Sequence, residues 1–243
     1  MAEKEWFSTW FDTSYYHVLY KHRNDSEAAI FIDHLTKKLN LGKGSRVLDL
    51  ACGKGRHSVM LHQAGLDVLG VDLSKNSISA AKQYATTNLL FSVHDMRELI
   101  PNKTFDAVFN LFTSFGYFDS ATENTRVIKS VCKMLTTNGL LVIDFMNARK
   151  AINELVKSEE KIIDGIHFSI RRNWDGKHIY KYIDVKDGDF THTFMERVQS
   201  LFLVDFEELL KIDFTITNIF GDYQLNSFKE ENSDRLIIIA QKK

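Results

Sequence analysis

Hydrophobic and polar positions along the first 146 residues predict strands and helices in alternation. The segment SEAAIFIDHLTKKLNL (26–41) spaces its apolar residues at helical intervals, with Ser26 as a candidate N-cap and Gly42 after its end. Short apolar runs predict strands at 46–51, 67–73, 89–95, 104–112 and 140–146, and the intervening patterns predict helices at 57–65, 74–86 and 122–139. Aliphatic strands that alternate with helices predict a parallel sheet covered by helices on both faces.

Beyond about residue 150 the pattern changes to a period of two. Asp-Gly pairs at 164–165, 175–176 and 187–188 separate the alternating stretches, and Asp-Gly in this setting indicates a tight hairpin. We therefore expect an antiparallel β-meander over residues 160–204. A helix at 204–212 and strands at 214–223 and 234–243 follow, and because only a loop separates these two strands, we expect a closing antiparallel hairpin.

The predicted fold class is α/β. We expect a doubly wound, mostly parallel seven-stranded sheet with an antiparallel final hairpin and the β-meander inserted after strand 5. In such sheets ligands bind outside the carboxyl ends of the strands, where the strand order reverses. The candidate site therefore combines residues 49–55, 72–73, 95–96 and 110–114.

Composition excludes several classes of protein. The chain has 243 residues, 44% of them hydrophobic and 26% charged, and its formal net charge of -1 argues against an electrostatic binder of nucleic acid. No apolar run approaches the roughly 20 residues that span a bilayer, and the first residues lack the pattern of a signal peptide, so we expect a cytoplasmic protein without membrane contact. Two cysteines and scattered histidines give no metal-binding spacing, so no metal is predicted.

The segment VLDLACGKGRHS (47–58) carries the first strand into a loop with two glycines, Gly53 and Gly55. A Walker A loop requires GxxxxGK followed by Ser or Thr, whereas here a lysine lies between the glycines and an arginine follows the second. A dinucleotide fingerprint requires GxGxxG, but Ser58 stands at the position of the third glycine. Asp49 at the strand end would also repel a phosphate. NAD and FAD are therefore disfavoured as ligands.

Three acidic residues at successive strand ends indicate a different ligand. Asp49 suits an ammonium group, while the free N–H groups of the following helix suit a carboxylate. Asp72 lies 23 positions further on, where an acid can hold both hydroxyls of a ribose. Asp95 follows after another 23 positions and can accept from an adenine amino group, although Asp is also favoured as a helix N-cap. An amino acid, a ribose and adenine together describe S-adenosylmethionine.

Four motifs follow one another within residues 45–146, namely VLDLACGKG, GVDLS, HDMREL and FDAVFNLFTSFGY. Together they resemble the successive motifs of the class I S-adenosylmethionine-dependent methyltransferases, and NIFGDY and RLIIIAQKK fit the closing strands of that family. The β-meander resembles that of small-molecule N-methyltransferases such as the aminosugar dimethyltransferases and glycine N-methyltransferase.

The resemblance implies contacts to S-adenosylmethionine, and to the product S-adenosylhomocysteine, at the strand ends. The first loop and the end of the fourth strand would surround the methionine portion. At the end of the second strand Asp72 would bind the ribose while Leu73 packs on the adenine, and the end of the third strand would frame the adenine. In that order the implied residues are Asp49, Ala51, Cys52, Gly53, Gly55, Asn110, Leu111, Asp72, Leu73, Asp95 and Met96.

The aromatic segment FDTSYYHVLYKHR (11–23) has two interpretations. Its tyrosines recur at spacings that suit an ordinary core stripe on a helix. In related methyltransferases, however, such a segment folds over the cofactor, and a tyrosine or arginine meets the methionine carboxylate. On the second interpretation Tyr16, Tyr20 and Arg23 are candidate cofactor ligands.

Methyl transfer from a sulfonium is an in-line displacement on an activated donor, and a neutral amine acceptor requires no general base. No catalytic residue is therefore obligatory, and Tyr16, His17, Tyr117 and His192 are candidates. We expect a small-molecule methyltransferase acting at nitrogen or oxygen. The alternatives are a nucleic-acid or protein methyltransferase, a noncatalytic cofactor-binding scaffold and, least favoured, an oxidoreductase on the same fold.

We expect one methyltransferase domain over residues 1–243. Its parts are an N-terminal helical cap (1–42), a cofactor-binding core (43–147), the inserted β-meander (160–204) and the closing helix and hairpin (205–243). The inserted β-meander is a candidate for either a substrate lid or a homodimer interface.

Overall fold

The structure, a computed structural model, describes residues 6–21 and 25–243. The helices in these residues are α1 (Trp6–Trp10), α2 (Ser14–Leu19), α3 (Asp25–Leu39), α4 (Arg56–Gln63), α5 (Lys75–Ala81), α6 (Ala121–Met134), α7 (Ala148–Asn153) and α8 (Leu203–Leu210). The strands are β1 (Arg46–Leu50), β2 (Asp67–Asp72), β3 (Leu89–Val93), β4 (Phe105–Asn110), β5 (Leu135–Met146), β6 (Ser158–Ile163), β7 (Ile166–Trp174), β8 (His178–Asp187), β9 (Phe190–Gln199), β10 (Phe214–Phe220) and β11 (Arg235–Lys242).

The larger sheet has seven strands in the order β10-β11-β5-β4-β1-β2-β3. Strands β1 to β5 are parallel to one another, and β11 is antiparallel to both of its neighbours, β5 and β10. This topology confirms the predicted fold class. The strand order reverses where β1 and β4 lie side by side, so the ligand crevice of such a sheet opens at their carboxyl ends.

Helices cover both faces of this sheet and form two hydrophobic cores. One core packs Val127 and Val131 of α6 and Phe206 of α8 against the sheet. The other packs Phe31 and Leu35 of α3, together with residues of α4 and α5, against the opposite face. Val127 and Val131 are four residues apart on α6, as are Phe31 and Leu35 on α3, and this spacing places both side chains of each pair on one face of the helix. It also explains why the sequence pattern located these two helices.

The smaller sheet is the predicted antiparallel β-meander, with strands in the order β6-β7-β8-β9. The Asp-Gly pairs at 164–165 and 175–176 lie in its turns, as predicted, whereas at the third pair Asp187 ends β8 and pairs with Phe190, so that the turn consists of Gly188 and Asp189. At the first turn Asp164 has a φ of 53° and Gly165 a φ of 80°. Two consecutive left-handed residues are what a tight type I′ hairpin requires, which accounts for Asp-Gly at this position.

A third hydrophobic core joins the β-meander to the first two helices. Trp10 of α1 and Leu19 of α2 pack against Phe168, Ile170 and Ile183 of the meander. The first two helices and the β-meander therefore share one core, separate from the two cores of the seven-stranded sheet. We call this unit, residues 6–21 with 158–199, the cap.

The helix predicted at 122–139 is wrong at its carboxyl end. α6 ends at Met134, and Leu135 already has an extended backbone and pairs with Phe105 of β4. Leu135 is 2% exposed, so its burial in the sheet outweighs the helical pattern of the preceding residues. Gly139, predicted to end the helix, lies inside β5.

The short helix α7 was not predicted. It begins after Asn147, whose side chain accepts a 3.2 Å hydrogen bond from the Arg149 amide. Because α7 spans only six residues, it presents too few turns for a helical hydrophobic period to appear in the sequence.

Within the described ranges, no helix is both long and apolar enough to cross a membrane. The same residues contain no group of three or more His, Cys, Asp or Glu side chains that could hold a metal ion.

Candidate active site

The loop between β1 and α4 turns through three residues with left-handed backbones, namely Ala51, Gly53 and Gly55. A Cβ at Gly55 would lie 2.7 Å from Cε1 of Phe91, so close packing requires glycine there. A Cβ at Gly53 would meet no atom within 4 Å. The first glycine thus borders open space, and the second lets the start of α4 pack against β3.

Asp49 lies beneath this loop and is 1% exposed. Its Oδ2 accepts a 2.5 Å hydrogen bond from Oγ of Ser58 in the first turn of α4. Burial raises the pKa of the Asp49 carboxyl to about 6, and the nearby charge of Asp72 adds to this rise while the Ser58 hydroxyl opposes it. Asp49 therefore supports the loop from below.

Cys52 lies in the same loop and is 9% exposed. Burial raises the pKa of its thiol well above the ordinary value, and the charges of Asp49 and Asp72 raise it further. A thiol in these surroundings stays protonated, which favours a packed residue over a nucleophile.

Asp72 at the end of β2 connects the loop to α5. Its Oδ2 accepts from the Gly53 amide and its Oδ1 from the Ser74 amide, each at 2.8 Å. Each carboxylate oxygen has a second lone pair, so Asp72 can accept two further hydrogen bonds. Ser74 also donates from Oγ to Oδ1 of Asp12 at 2.5 Å, which links the cap to the start of α5.

Asp95, after the end of β3, is held by Arg97. Nη2 of Arg97 lies 2.6 Å from Oδ2 of Asp95, and its Nε lies 3.0 Å from Oδ1. Burial alone would raise the pKa of Asp95, but the hydrogen bonds and charge of Arg97 outweigh it and lower that pKa. Arg97 also donates to Glu123 at 2.7 Å. The predicted adenine acceptor therefore already has a charged partner within the protein.

The loop after β4 is held in a left-handed conformation at two consecutive residues, Phe112 and Thr113, each with a φ of 59°. The Phe112 amide donates to Oδ2 of Asp144 at 2.8 Å. Arg235 donates from Nε to Oδ1 of Asp144 at 2.7 Å and from Nη2 to the Thr113 hydroxyl at 3.0 Å. The buried Asp144–Arg235 pair thus fixes a loop that non-glycine residues rarely adopt.

A cavity of about 660 Å³ lies between these strand ends and the cap. Its floor consists of residues from the four loops at the ends of β1 to β4, at positions 51–54, 72–74, 94–96 and 111–114. On the side of the cap the cavity is lined by Phe7, Phe11, Tyr16, His17, Tyr20, Lys21, Arg172, Ile179, Lys181, Glu196 and Val198. The cap therefore closes over the edge of the sheet where the sequence predicted a ligand.

Most of the predicted site residues meet in this cavity. Those that line it are Ala51, Cys52, Gly53, Asp72, Leu73, Asp95, Met96, Leu111, Tyr16, His17, Tyr20 and Tyr117. Asp49, Gly55 and Asn110 lie near it but are absent from its lining. His192 lies on β9 with its ring 5.2 Å from that of Tyr15, also outside the lining. Arg23 lies outside the described residues.

Three charged residues on the meander side of the cavity were not predicted from the sequence, namely Arg172, Lys181 and Glu196. A signal was present, because each interrupts an alternating apolar pattern at a position that faces inward. Phe168 and Ile170, for example, are buried on the face of β7 that also carries Arg172.

The residues around the floor of the cavity fit S-adenosylmethionine. Gly55 caps α4 without a side chain, and Arg56 and His57 of the first helical turn line the cavity, so this helix end can receive a carboxylate. Asp72 retains the capacity to accept two ribose hydroxyls. Among the described groups, Oδ1 of the buried Asn110 has no hydrogen-bond partner, which leaves an acceptor close to the same strand ends.

Comparisons with known proteins agree with this geometry. The model of a methyltransferase-domain family matches residues 41–196. The glycine/sarcosine N-methyltransferase of Aphanothece halophytica is 28% identical over 229 residues, which cover 90% of this chain and 83% of that protein. The YqeM protein of Bacillus subtilis (strain 168) is 35% identical over 123 residues, and that match spans 49% of this chain and 50% of that protein.

A solved S-adenosylmethionine-dependent methyltransferase from Clostridium acetobutylicum has the same fold. It superposes with a TM-score of 0.79 at 19% identity and covers 93% of this chain and 95% of its own. The family model matches more than half of the chain, and the chain therefore belongs to the methyltransferase-domain family that this model describes.

Proposed function

We propose that the protein transfers a methyl group from S-adenosylmethionine to a nitrogen or oxygen atom of a small molecule. The observation that carries this proposal is the cap, which covers a cavity of about 660 Å³ above the strand ends. Sites that enclose a small molecule have volumes of about 300–1,000 Å³. A cavity of this size is in the range that suits a small acceptor.

We assign the floor of the cavity to the cofactor, which supplies, when bound, a methyl group activated by a sulfonium. Asp72 would accept the ribose hydroxyls, and the first turn of α4 would receive the methionine carboxylate. Leu73 and Met96 would pack on the adenine. Asp95 would frame the adenine through the loop that Arg97 fixes, because Arg97 already engages both of its carboxylate oxygens.

The cap would contribute alignment of the acceptor and exclusion of water, which are the main requirements for an in-line displacement. The rings of Phe11 and Tyr117 lie 5.3 Å apart, and those of Trp6 and Tyr117 lie 5.5 Å apart. This aromatic cluster joins the first helix to the loop after β4 and shields that side of the cavity. Aromatic faces also attract a cationic sulfonium.

A general base is needed only for an acceptor that must lose a proton during the reaction. Tyr16, His17 and Tyr117 line the cavity and are the candidates for that role. The Tyr117 hydroxyl donates to the Thr113 carbonyl at 2.5 Å, so Tyr117 also holds the loop after β4.

Two further observations support a small acceptor. The formal net charge of -1 provides no general attraction for nucleic acid. The relative from Aphanothece halophytica, which aligns over 90% of this chain, is named as a methyltransferase of glycine and sarcosine, both of them small amines.

Calorimetric titration with S-adenosylmethionine, S-adenosylhomocysteine and NADH tests the cofactor assignment. We expect the first two to bind and NADH to give no heat, whereas the reverse result would contradict the proposal. Formation of S-adenosylhomocysteine with a panel of small amines, alcohols and phenols tests catalysis. Cofactor binding without turnover of any panel member, but with methylation of a protein or nucleic acid, would replace the small acceptor by a polymer.

A further inference from the structure

Three charged side chains form a row across the inner face of the β-meander. Arg172 of β7 pairs across the strands with Lys181 of β8, and Lys181 pairs with Glu196 of β9. All three line the cavity. Their side chains are 19%, 12% and 18% exposed, respectively, so the row lies largely buried in the cap.

The neighbours of this row on the same face are apolar. Residues two positions apart on a strand share a face. On one side of the row Ile170, Ile183 and Phe194 pair across the same three strands, and on the other side Trp174, Ile179 and Val198 do so. The charged row therefore interrupts an apolar face, of which Ile170, Ile183 and Phe194 belong to the hydrophobic core of the cap.

The row of charged side chains lowers the stability of the folded protein, so packing does not explain it. Like charges directly opposite each other on neighbouring strands are destabilising, and Arg172 and Lys181 occupy such positions. Removing each charge from water adds a further cost. Because sequences break local rules mainly at functional sites, the pair points to a ligand rather than to packing.

The members of the row differ in how well their polar atoms are satisfied. Glu196 accepts from Nε1 of Trp10 at 2.7 Å and from the Tyr20 hydroxyl at 2.8 and 2.9 Å. Arg172 donates to Glu159 and to a backbone carbonyl. Both groups are therefore held in place.

Lys181 has fewer hydrogen-bond partners, although its Nζ also lies 4.5 Å from the centroid of the Tyr20 ring. Its Nζ donates to the Tyr20 hydroxyl at 2.5 Å, while Oε2 of Glu196 lies 3.8 Å away, beyond hydrogen-bond distance. An ammonium has three N–H donors. Among the described residues, Lys181 thus has two more donors than hydrogen-bond partners, on a side chain that borders the cavity.

The local charge balance favours a monoanion as the missing partner. Lys161, Arg172 and Lys181 are opposed by two carboxylates, those of Glu159 and Glu196, which leaves one positive charge. A ligand with a single negative charge neutralises the group, whereas a phosphate dianion would leave it negative. Burial lowers the pKa of Lys181, and a bound anion would offset that effect.

We propose that Lys181, flanked by Arg172, binds a carboxylate of the methyl acceptor, so that the substrate is a small carboxylic acid. This inference rests on the proposed function. A carboxylate carries one negative charge and two acceptor oxygens, which match the two remaining N–H donors. Because the row lies in the cap, across the cavity from the cofactor floor, it would leave the reactive nitrogen or oxygen of the acid directed toward the strand ends.

The test uses short-chain amino and hydroxy acids, each paired with its own carboxamide, titrated into the 243-residue chain saturated with S-adenosylhomocysteine. We expect at least one acid to bind about tenfold or more tightly than its carboxamide, as a charge-assisted hydrogen bond predicts. In Lys181→Met the affinity for the acid should fall to that of the carboxamide. Lys181→Arg, which keeps the cation, should retain the preference.

Lys186→Met is the matched control, because Lys186 lies on the same strand with an exposed side chain. It should leave every affinity unchanged. Carboxamides that bind as tightly as their acids, no binding of any acid, or a Lys181→Met protein that keeps the preference, would each overturn the subsite. Failure of the unmodified protein to bind S-adenosylhomocysteine would instead contradict the proposed function.

Discussion

Asp49 accepts a 2.5 Å hydrogen bond from Ser58 beneath the loop that carries the two glycines. The bond joins the end of β1 to the first turn of α4, the two elements that border the cofactor side of the cavity. Both side chains are buried, at 1% and 0% exposure, so the pair is shielded from water. Burial raises the pKa of the Asp49 carboxyl, and this makes the free energy of unfolding depend on pH.

The first prediction concerns the pH dependence of folding. Burial raises the pKa of Asp49 from 3.8 to about 6 in the folded protein. Between these two values the folded state binds more protons than the unfolded state, so the free energy of unfolding falls as the pH rises. Relative to Asp49→Asn, the wild-type protein should lose about 2 kcal/mol between pH 4 and pH 7, since one pKa unit corresponds to about 1.36 kcal/mol and part of the loss occurs below pH 4.

Urea unfolding of both proteins at several pH values measures this difference. Ser58→Ala supplies a second variant, because loss of the hydroxyl that lowers the pKa of Asp49 should move the titration to higher pH. A difference between wild type and Asp49→Asn that stays constant from pH 4 to pH 7 would contradict the assignment.

The second prediction compares Asp72 with Asp67, the other acidic residue of β2. Asp72→Asn removes a charged acceptor that lines the cavity and should weaken S-adenosylhomocysteine binding by about tenfold or more. Asp67→Asn, at the opposite end of β2, alters an exposed contact to Asn88 and should leave that affinity unchanged. Calorimetry on both variants, with urea unfolding to check their stability, tests the ribose assignment. Equal affinities for the two variants would remove Asp72 from it.

The cofactor side of the cavity was predictable from sequence because its geometry follows from local patterns. Aliphatic strands place Asp72 and Asp95 at known ends of a parallel sheet, and parallel strands bring those ends to one edge. The first Asp-Gly turn of the meander, between Ile163 and Ile166, was predictable for the same reason, since it depends on two adjacent residues.

The rest of the site depends on contacts between distant segments. The left-handed backbone at Phe112 and Thr113 is stabilised by Asp144, which lies 32 positions along the chain from Phe112. Asp144 is in turn held by Arg235, which lies a further 91 positions along the chain. The row of Arg172, Lys181 and Glu196 requires the register of three strands. Neither arrangement has a local sequence signature, so both needed the structure.

The third prediction contrasts the two glycines of the loop. Gly55→Ala would place a Cβ 2.7 Å from the Phe91 ring at a φ of +84°, and should cost about 2–5 kcal/mol in the free energy of unfolding from backbone strain and overpacking. Gly53→Ala has open space around its Cβ, so only the left-handed strain of about 1–2 kcal/mol applies.

Because Gly53 lines the cavity, its alanine variant should show its main effect as weaker binding of S-adenosylhomocysteine. Urea unfolding and calorimetry on the two variants provide the comparison. Equal losses of stability would show that Phe91 moves aside without cost, and the close-packing role of Gly55 would be wrong.

The last prediction concerns the buried pair that fixes the loop after β4. The side chains of Asp144 and Arg235 are 1% and 16% exposed. Asp144→Asn keeps the shape of the side chain but leaves a buried guanidinium without its charged partner, and such a change costs about 3–5 kcal/mol. Asp33→Asn breaks the exposed Lys37–Asp33 pair of α3 and should cost less than about 1 kcal/mol.

Urea unfolding of the two variants measures both costs, and similar values would show that the Asp144–Arg235 pair does not hold the loop. If the pair does hold it, Asp144→Asn should also weaken S-adenosylhomocysteine binding, because Phe112 and Thr113 belong to the floor of the cavity.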